Sequence, residues 1–219
     1  MPDADPDDLA GLGPFFGVRR AVDGDRWLPL RDLLREPVLA ARVRHVHTVL
    51  AERAGVEIEP RVAASTMSLG LFARVVSPVL GAAVLGVPLP RPTLDDTWWR
   101  PVEQGPWPLA LTGPDARPRF SDLVADVLEP LVEALAGQYA LSRRVLRGNI
   151  ASAALGAVHM IGTARPGLAA AALDVGAALL AGPLAGTGEL RGGFRRSSCC
   201  LYYRIPGGGY CGDCVLADR

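Results

Sequence analysis

Four cysteines lie close together near the end of the chain, and it contains no others: Cys199, Cys200, Cys211 and Cys214. The first eight residues have neither the basic nor the apolar region of a secretory signal, so a cytoplasmic location is expected. Thiols stay reduced there, which disfavours a pair of disulfides. Four thiolates form a complete ligand set for an iron–sulfur cluster or a zinc ion. The pattern therefore predicts a metal site.

The spacing of the four cysteines helps to choose the metal. Cys211-x-x-Cys214 suits either metal, whereas side chains of neighbours such as Cys199 and Cys200 usually diverge, which is awkward for one tetrahedral zinc. A two-iron cluster is a larger target. Between the pairs, Gly207–Gly209 allows the chain to reverse and to approach inorganic sulfide closely. The spacing favours an iron–sulfur cluster, with zinc and inert or disulfide-bonded thiols as the alternatives.

Arginines surround the cysteines, although the chain as a whole has 23 basic and 23 acidic residues. This balance argues against a nucleic-acid partner, because such proteins neutralise many phosphates. Locally, Arg195, Arg196 and Arg204 are expected to serve the cluster, an anionic substrate or an acidic electron donor. Solvated surface is the alternative for each of them.

Helical periodicity dominates the residues that must position this site. Short helical turns are predicted over Leu30–Glu36, and longer helices from Pro37 to Gly55 and over Val62–Gly86, the latter kinked or divided at Pro78. Further helices are predicted from an N-cap at Ser121 to Leu128, from Pro130 to about Leu146, from a cap at Asn149 over Ile150–Ile161, and from Pro166 to Gly182.

Prolines and tryptophans set one segment apart, in which Trp98–Val102 and Trp107–Leu111 are predicted to pair as a hairpin. The fold class is therefore mainly α, a helical body with a small hairpin or irregular segment, with α+β as the alternative. Residues 1–183 are expected to form the body and residues 184–219 a metal-binding tail.

Two apolar stretches approach the length of a membrane span. Val62–Val87 contains Arg74, and Leu168–Leu184 contains Asp174. Both also contain proline, so they are interpreted as buried helices, and an integral membrane protein is not expected.

Other residues that carry chemistry have structural interpretations. His45 and His47 are two residues apart, which places them on different faces of a helix and argues against a shared metal. Trp98, Trp99 and Tyr202 are expected to pack in the core, with contact to a substrate as the alternative.

The run from Arg196 through Cys199-Cys200-Leu-Tyr-Tyr-Arg, then Pro-Gly-Gly-Gly and Cys211-Gly-Asp-Cys214, resembles the C-terminal signature of the FhuF-like ferric siderophore reductases. The segment around Gly148-Asn149 is also similar to that family. The resemblance implies a [2Fe–2S] cluster on the four cysteines. It also implies reduction of a ferric siderophore, with the hydroxamate type favoured, by one electron from a donor such as a ferredoxin or a reductase.

Two other classes of function stay open at this point. One is a non-enzymatic iron–sulfur electron carrier or redox sensor. The other is a siderophore-binding or biosynthetic module whose cysteines are structural, since the family also resembles part of the siderophore synthetases.

Overall fold

Helices make up most of the computed structural model, which describes residues 7–103, 105–117 and 119–217. The α-helices are α1 (Asp7–Ala10), α2 (Glu36–Ala54), α3 (Pro60–Leu85), α4 (Phe120–Leu123), α5 (Glu129–Tyr139), α6 (Arg143–Ala164) and α7 (Ala169–Ala181). Short 3-10 helices span Leu30–Leu34, Pro166–Leu168 and Tyr202–Arg204, and a π-helical turn spans Val124–Leu128. The mainly α fold class is confirmed.

Helix α3 is the centre of the fold. It packs against α2, α5, α6 and α7, and its buried residues continue around most of its circumference. It is a single helix even though Pro78 lies inside it, so the division into two helices does not occur. An internal proline costs about 3 kcal/mol, and burial of so long an apolar helix outweighs that cost.

Helix α3 is long and apolar enough to cross a bilayer by length and composition, but 67% of its apolar window is buried within the fold. The second apolar stretch forms the shorter helix α7. The burial of α3 among other helices confirms the prediction of a buried helix for the first stretch. The same prediction is wrong for the second stretch, because α7 buries only Ala172, Gly176 and Leu179.

Three small antiparallel sheets, one of three strands and two of two strands, accompany the helices in the described residues. The strands are β1 (Leu28–Pro29), β2 (Leu89–Pro90), β3 (Thr97–Trp99), β4 (Leu109–Leu111), β5 (Asp115–Ala116), β6 (Gly188–Leu190) and β7 (Phe194–Arg196). The predicted hairpin is confirmed as β3 and β4, with Trp98 opposite Ala110, and β1 adds a third strand to it. Strand β2 pairs with β5, and β6 with β7.

Three predicted helix boundaries are wrong. Ser121 lies inside α4, whose N-cap is Arg119. The helix predicted from Pro130 to about Leu146 ends at Tyr139, and the next residue, Ala140, adopts the left-handed conformation. Ser142, not Asn149, caps α6, because its side chain accepts the amide of Val145. A buried polar residue inside a helix has the same local sequence signature as a cap, and only tertiary contacts distinguish the two.

The C-terminal tail is more ordered than its glycine content suggests. Its β6–β7 hairpin packs on α6 and α7, and the 3-10 helix Tyr202–Arg204 packs on α3. The tail therefore touches the two longest helices of the body, and the cysteines follow directly after β7.

Candidate metal centre

The four cysteines follow the β6–β7 hairpin of the tail, and none of them is in a disulfide. Cys200 and Cys214 are buried, and Cys199 and Cys211 are half-buried. The Sγ atoms of Cys200 and Cys211 are 3.4 Å apart, so the fold brings one cysteine of each pair into contact. The assignment of all four cysteines as ligands of one cluster stays a prediction.

A sharp turn directly after Cys200 shapes the adjacent pair. Leu201 has a φ of 69°, in the left-handed region that a branched side chain rarely adopts. The Leu201 amide donates to the Sγ of Cys199 at 3.3 Å, and the Leu216 amide donates to the Sγ of Cys214 at the same distance. Amide hydrogen bonds to sulfur stabilise thiolates and tune the clusters that thiolates hold.

The protonation of the thiols differs across the site. The hydrogen bond with Cys211 lowers the pKa of Cys200 to about 6 against the opposing effect of burial, with further help from the Tyr202 amide and the charge of Arg196. The same hydrogen bond raises the pKa of Cys211, and burial raises the pKa of Cys199. A metal takes up the thiolate form, so its binding here releases protons.

Arg196 is a buried cation beside these sulfurs. It is only 1% exposed, and its Nη2 atom donates to Oδ1 of Asn149 and to the carbonyl of Val145 on α6. Its Nε and Nη1 atoms are buried without a hydrogen-bond partner among the described residues. A buried guanidinium with unused donors favours negative charge in its surroundings, and a cluster on four thiolates is negatively charged.

Asn149 joins this arginine to the body. It is fully buried, and its Nδ2 atom donates to Ser65 and to Ser68 on α3. Ser65 in turn donates from Oγ to the carbonyl of Cys200 at 2.7 Å. Asn149 and Ser65 thereby connect α6, α3, Arg196 and a cysteine in one polar network. Sequence analysis missed this role, for which a buried amide within an apolar helix is the signal.

Gly148 makes the close approach of the tail possible. A Cβ atom at this position would overlap Oγ of Ser198 and lie 2.9 Å from Nη2 of Arg196. Ser198 uses that oxygen to bond the carbonyl of Arg144, and Arg144 donates back to the carbonyl of Ser197 at 2.9 Å. The Gly148-Asn149 pair is therefore the position on α6 against which the tail packs, referred to below as the seat of the tail.

The other two arginines lie farther out. Arg195 is half-buried and donates to the carbonyl of Val215, and Arg204 is exposed and pairs with Glu59. Their predicted part in binding a substrate stays a prediction. Arg196 is too deeply buried to meet a large ligand directly, and its position favours action on the cluster.

A small apolar cluster forms the second seat of the tail. Ile205 packs with Ile58 and Val62, and Tyr202 packs against this cluster. Tyr203 next to it is 43% exposed. Of the predicted core tryptophans, Trp99 is buried and Trp98 is half-buried.

The donor set fits an iron–sulfur cluster. Among the described residues, no group of three or more His, Cys, Asp or Glu side chains is already arranged around a single metal position. A two-iron cluster distributes four thiolates over two metals, and the amide donors and Arg196 supply the expected surroundings. Cys199, Cys200, Cys211 and Cys214 are the residues that would hold it.

Comparison with known proteins identifies the tail. Residues 196–216 match the family model described as the FhuF 2Fe-2S C-terminal domain, a segment that contains all four cysteines. No curated protein matches the chain. The match supports a function related to siderophore iron. The resemblance seen in the sequence is confirmed for this segment, and residues 196–216 form a C-terminal [2Fe–2S] domain of the FhuF type.

Proposed function

We propose that this protein reduces ferric siderophores, of the hydroxamate type, by one-electron transfer in the cytoplasm, and that a ferredoxin or a reductase supplies the electron. The FhuF 2Fe-2S match over residues 196–216 is the observation that carries the proposal. The free, partly accessible cysteines and the buried Arg196 beside them support it.

The chemistry is a single outer-sphere step. When bound, the [2Fe–2S] cluster supplies one electron at a time. Ferric iron in a siderophore gains that electron and becomes ferrous, and hard oxygen donors hold ferrous iron far more weakly, so the metal leaves. No bond forms between the protein and the substrate, and the donor protein then restores the electron.

The residues of this chain have three roles in that step. The four cysteines hold the cluster, and the Leu201 and Leu216 amides bond two of the sulfurs. Arg196 offsets negative charge, which favours uptake of the electron. Cys199 and Cys211 are half-buried, so this side of the tail is open to an electron donor.

Single-turnover kinetics test the proposal. Protein reduced under anaerobic conditions is mixed with ferric desferrioxamine B, a trihydroxamate, in the presence of a colorimetric chelator of ferrous iron. We expect a rate that saturates with siderophore concentration and one ferrous ion released per cluster.

Cys211→Ser is the matched control, which we expect to release no ferrous iron. A reduced wild-type protein that is not oxidised by the siderophore, or whose rate rises linearly without saturation, contradicts the proposal. That result would favour an electron carrier or redox sensor.

A further inference from the structure

A groove of about 990 Å³ opens between α2, α3 and the connection from β3 to β4. Apolar side chains that include Val49, Met67 and Trp107 line much of it. Its volume is that of sites for small organic ligands, which are concave, mostly apolar and equipped with a few polar groups. Nothing in the metal centre described above uses this groove.

Arg42 is the unusual residue of the groove wall. It is 9% exposed, and its guanidinium lies 4.8 Å from the ring centroid of Trp107 and 5.9 Å from that of Trp99. Within the described part of the chain, its Nε atom is buried without a hydrogen-bond partner, whereas its two terminal nitrogens are not among the buried unpartnered atoms. A buried cation without an anion is costly, so the site is suited to a ligand that brings acceptor oxygens.

A second buried arginine shows what a structural role looks like in this fold. Arg74 is 4% exposed and donates to the carbonyls of Phe15, Gly17 and Trp107, which satisfies its guanidinium. Arg42 lies against the same Trp107 and lacks such acceptors. On the opposite wall, the Oγ1 atom of Thr66 is also buried without a partner. Both orphaned groups line the groove.

The groove adjoins the metal centre through α3. Thr66 lines the groove, and the preceding residue, Ser65, donates to the carbonyl of Cys200 at 2.7 Å. One peptide unit and one hydrogen bond therefore connect the groove wall to a cysteine of the site. Leu50 also lines the groove and packs against the apolar cluster that seats Ile205.

The charges of the wall restrict the ligand. Arg42 and Arg53 are balanced by Glu52 and Glu103, so the groove is close to neutral. A trianionic chelate would gain little from such a lining, whereas a ferric trihydroxamate has low net charge and presents partly negative oxygens on an organic framework.

Building on the proposed function, we propose that this groove is the docking site of the ferric hydroxamate, with Arg42 donating to its oxygens. The chelate sits against Trp107 and Thr66, on the face of α3 next to the face that bonds Cys200. In this arrangement the tail and the substrate contact neighbouring faces of the same helix, α3.

Filling the groove tests the assignment. Gly70 lines it, lies exposed within α3, and has open space where a Cβ would point, so Gly70→Trp places a ring in the groove. Gly156→Trp is the matched control, because Gly156 is likewise exposed and open but lies on α6 outside the groove. Arg42→Met removes the charge of Arg42 from the groove wall. Its matched control is Arg44→Met, which removes a charge from an exposed position of α2.

Two measurements are made on the cluster-loaded protein. Calorimetric titration with the gallium(III) complex of desferrioxamine B, which is inert to reduction, reports binding alone. Stopped-flow oxidation by the ferric complex reports electron transfer, and ferricyanide serves as a small oxidant that needs no docking site. We expect Gly70→Trp and Arg42→Met to weaken gallium-complex binding by about tenfold or more. All variants should react with ferricyanide at the wild-type rate.

The groove assignment would be overturned if Gly70→Trp and Arg42→Met both bind the gallium complex with wild-type affinity and are oxidised by the ferric complex with wild-type saturation. That result would leave the reductase proposal standing. Equal weakening in Gly156→Trp and Arg44→Met would also overturn the groove assignment, since the effect would not belong to the groove. Failure of the wild-type protein to bind the gallium complex, together with unsaturated oxidation by the ferric complex, would overturn both.

Discussion

At the scale of single residues, the structure distinguishes three arginines that are equivalent in the sequence. The cysteines could be assigned from spacing alone, because four thiols in so short a segment leave few alternatives. The burial of Arg196 could not, because it depends on the docking of the tail against Asn149, which is 47 positions away.

The charge of Arg196 predicts a shift of the reduction potential. Arg196→Met removes a buried cation beside the cysteines. The reduction potential of the cluster should become more negative by tens of millivolts, roughly 60 mV for each 1.4 kcal/mol by which the reduced cluster is less stabilised. Arg196→Lys should retain most of the wild-type value. Spectroscopic redox titration measures both, with Arg191→Met, on an exposed arginine paired with Glu189, as the control. Equal potentials for Arg196→Met and the wild type would refute the electrostatic role.

Asn149 is predicted to stabilise the seat of the tail. Asn149→Ala leaves Arg196 without its side-chain acceptor and Ser68 without its amide donor, so the free energy of unfolding should fall by about 1–3 kcal/mol. Anaerobic urea denaturation measures it. Gln138→Ala, at an exposed amide on α5, should change stability by less than about 0.5 kcal/mol. Similar losses in the two variants would mean that the network contributes little.

At the scale of elements, the sequence predicted which segments are helical more accurately than it predicted where each helix begins and ends. Proline at Pro166 and glycine at Gly55 marked helix ends correctly, because their backbone restrictions act locally. Of the two alternatives left open at Pro78, the division into two helices is wrong, since burial of α3 outweighs the local cost of the proline. The π-helical turn before Pro130, in which the Glu129 amide bonds the carbonyl of Val124, could not be read from propensities.

Helix α6 offers a matched pair of glycines for testing how the tail is seated. Gly148→Ala places a Cβ against Ser198 and Arg196, so it should loosen the tail and lower the iron bound per chain. Gly156→Ala points into open space and should stabilise the helix by up to about 1 kcal/mol. Iron analysis and thermal unfolding measure the pair. Full iron occupancy and unchanged stability in Gly148→Ala would show that the close contact is unimportant.

At the scale of the whole molecule, we propose that residues 1–183 form a self-sufficient helical body and residues 184–219 a segment that depends on the metal. The main core is built largely from the helices of the body, and the tail adds Leu184 to it, with Phe194 and Leu201 packed at its edge. Ile205 joins a small separate cluster with two residues of the body. Metal binding therefore supplies much of the folding free energy of the tail.

Removal of the cluster tests that division. In anaerobic protein treated with a chelator, the amides of residues 196–216 should exchange with deuterium much faster, while the interior of α3 and α6 keeps its protection. Hydrogen exchange with mass spectrometry resolves the two regions, and the loaded protein is the reference. Uniform acceleration along the chain would contradict a separate body, and no acceleration in the tail would contradict a metal-dependent tail.

The groove beside α3 is formed by several elements of the whole molecule, and no pattern in the sequence indicated it. Arg42 and Trp107 are 65 positions apart, and only the packing of α2 against the strand connection brings them together. Sequence reasoning found the metal-binding end of the molecule because its cysteines are close together in the chain. A groove assembled from distant elements leaves no such signature.

The central claim, that a [2Fe–2S] cluster on these four cysteines passes one electron to a ferric siderophore, is tested most directly by electron paramagnetic resonance. Dithionite-reduced protein freed of excess reductant should show the signal of a reduced two-iron cluster. Addition of one equivalent of ferric desferrioxamine B should then abolish both that signal and the high-spin ferric signal of the siderophore. A reduced-cluster signal that persists beside an undiminished ferric signal would contradict the claim.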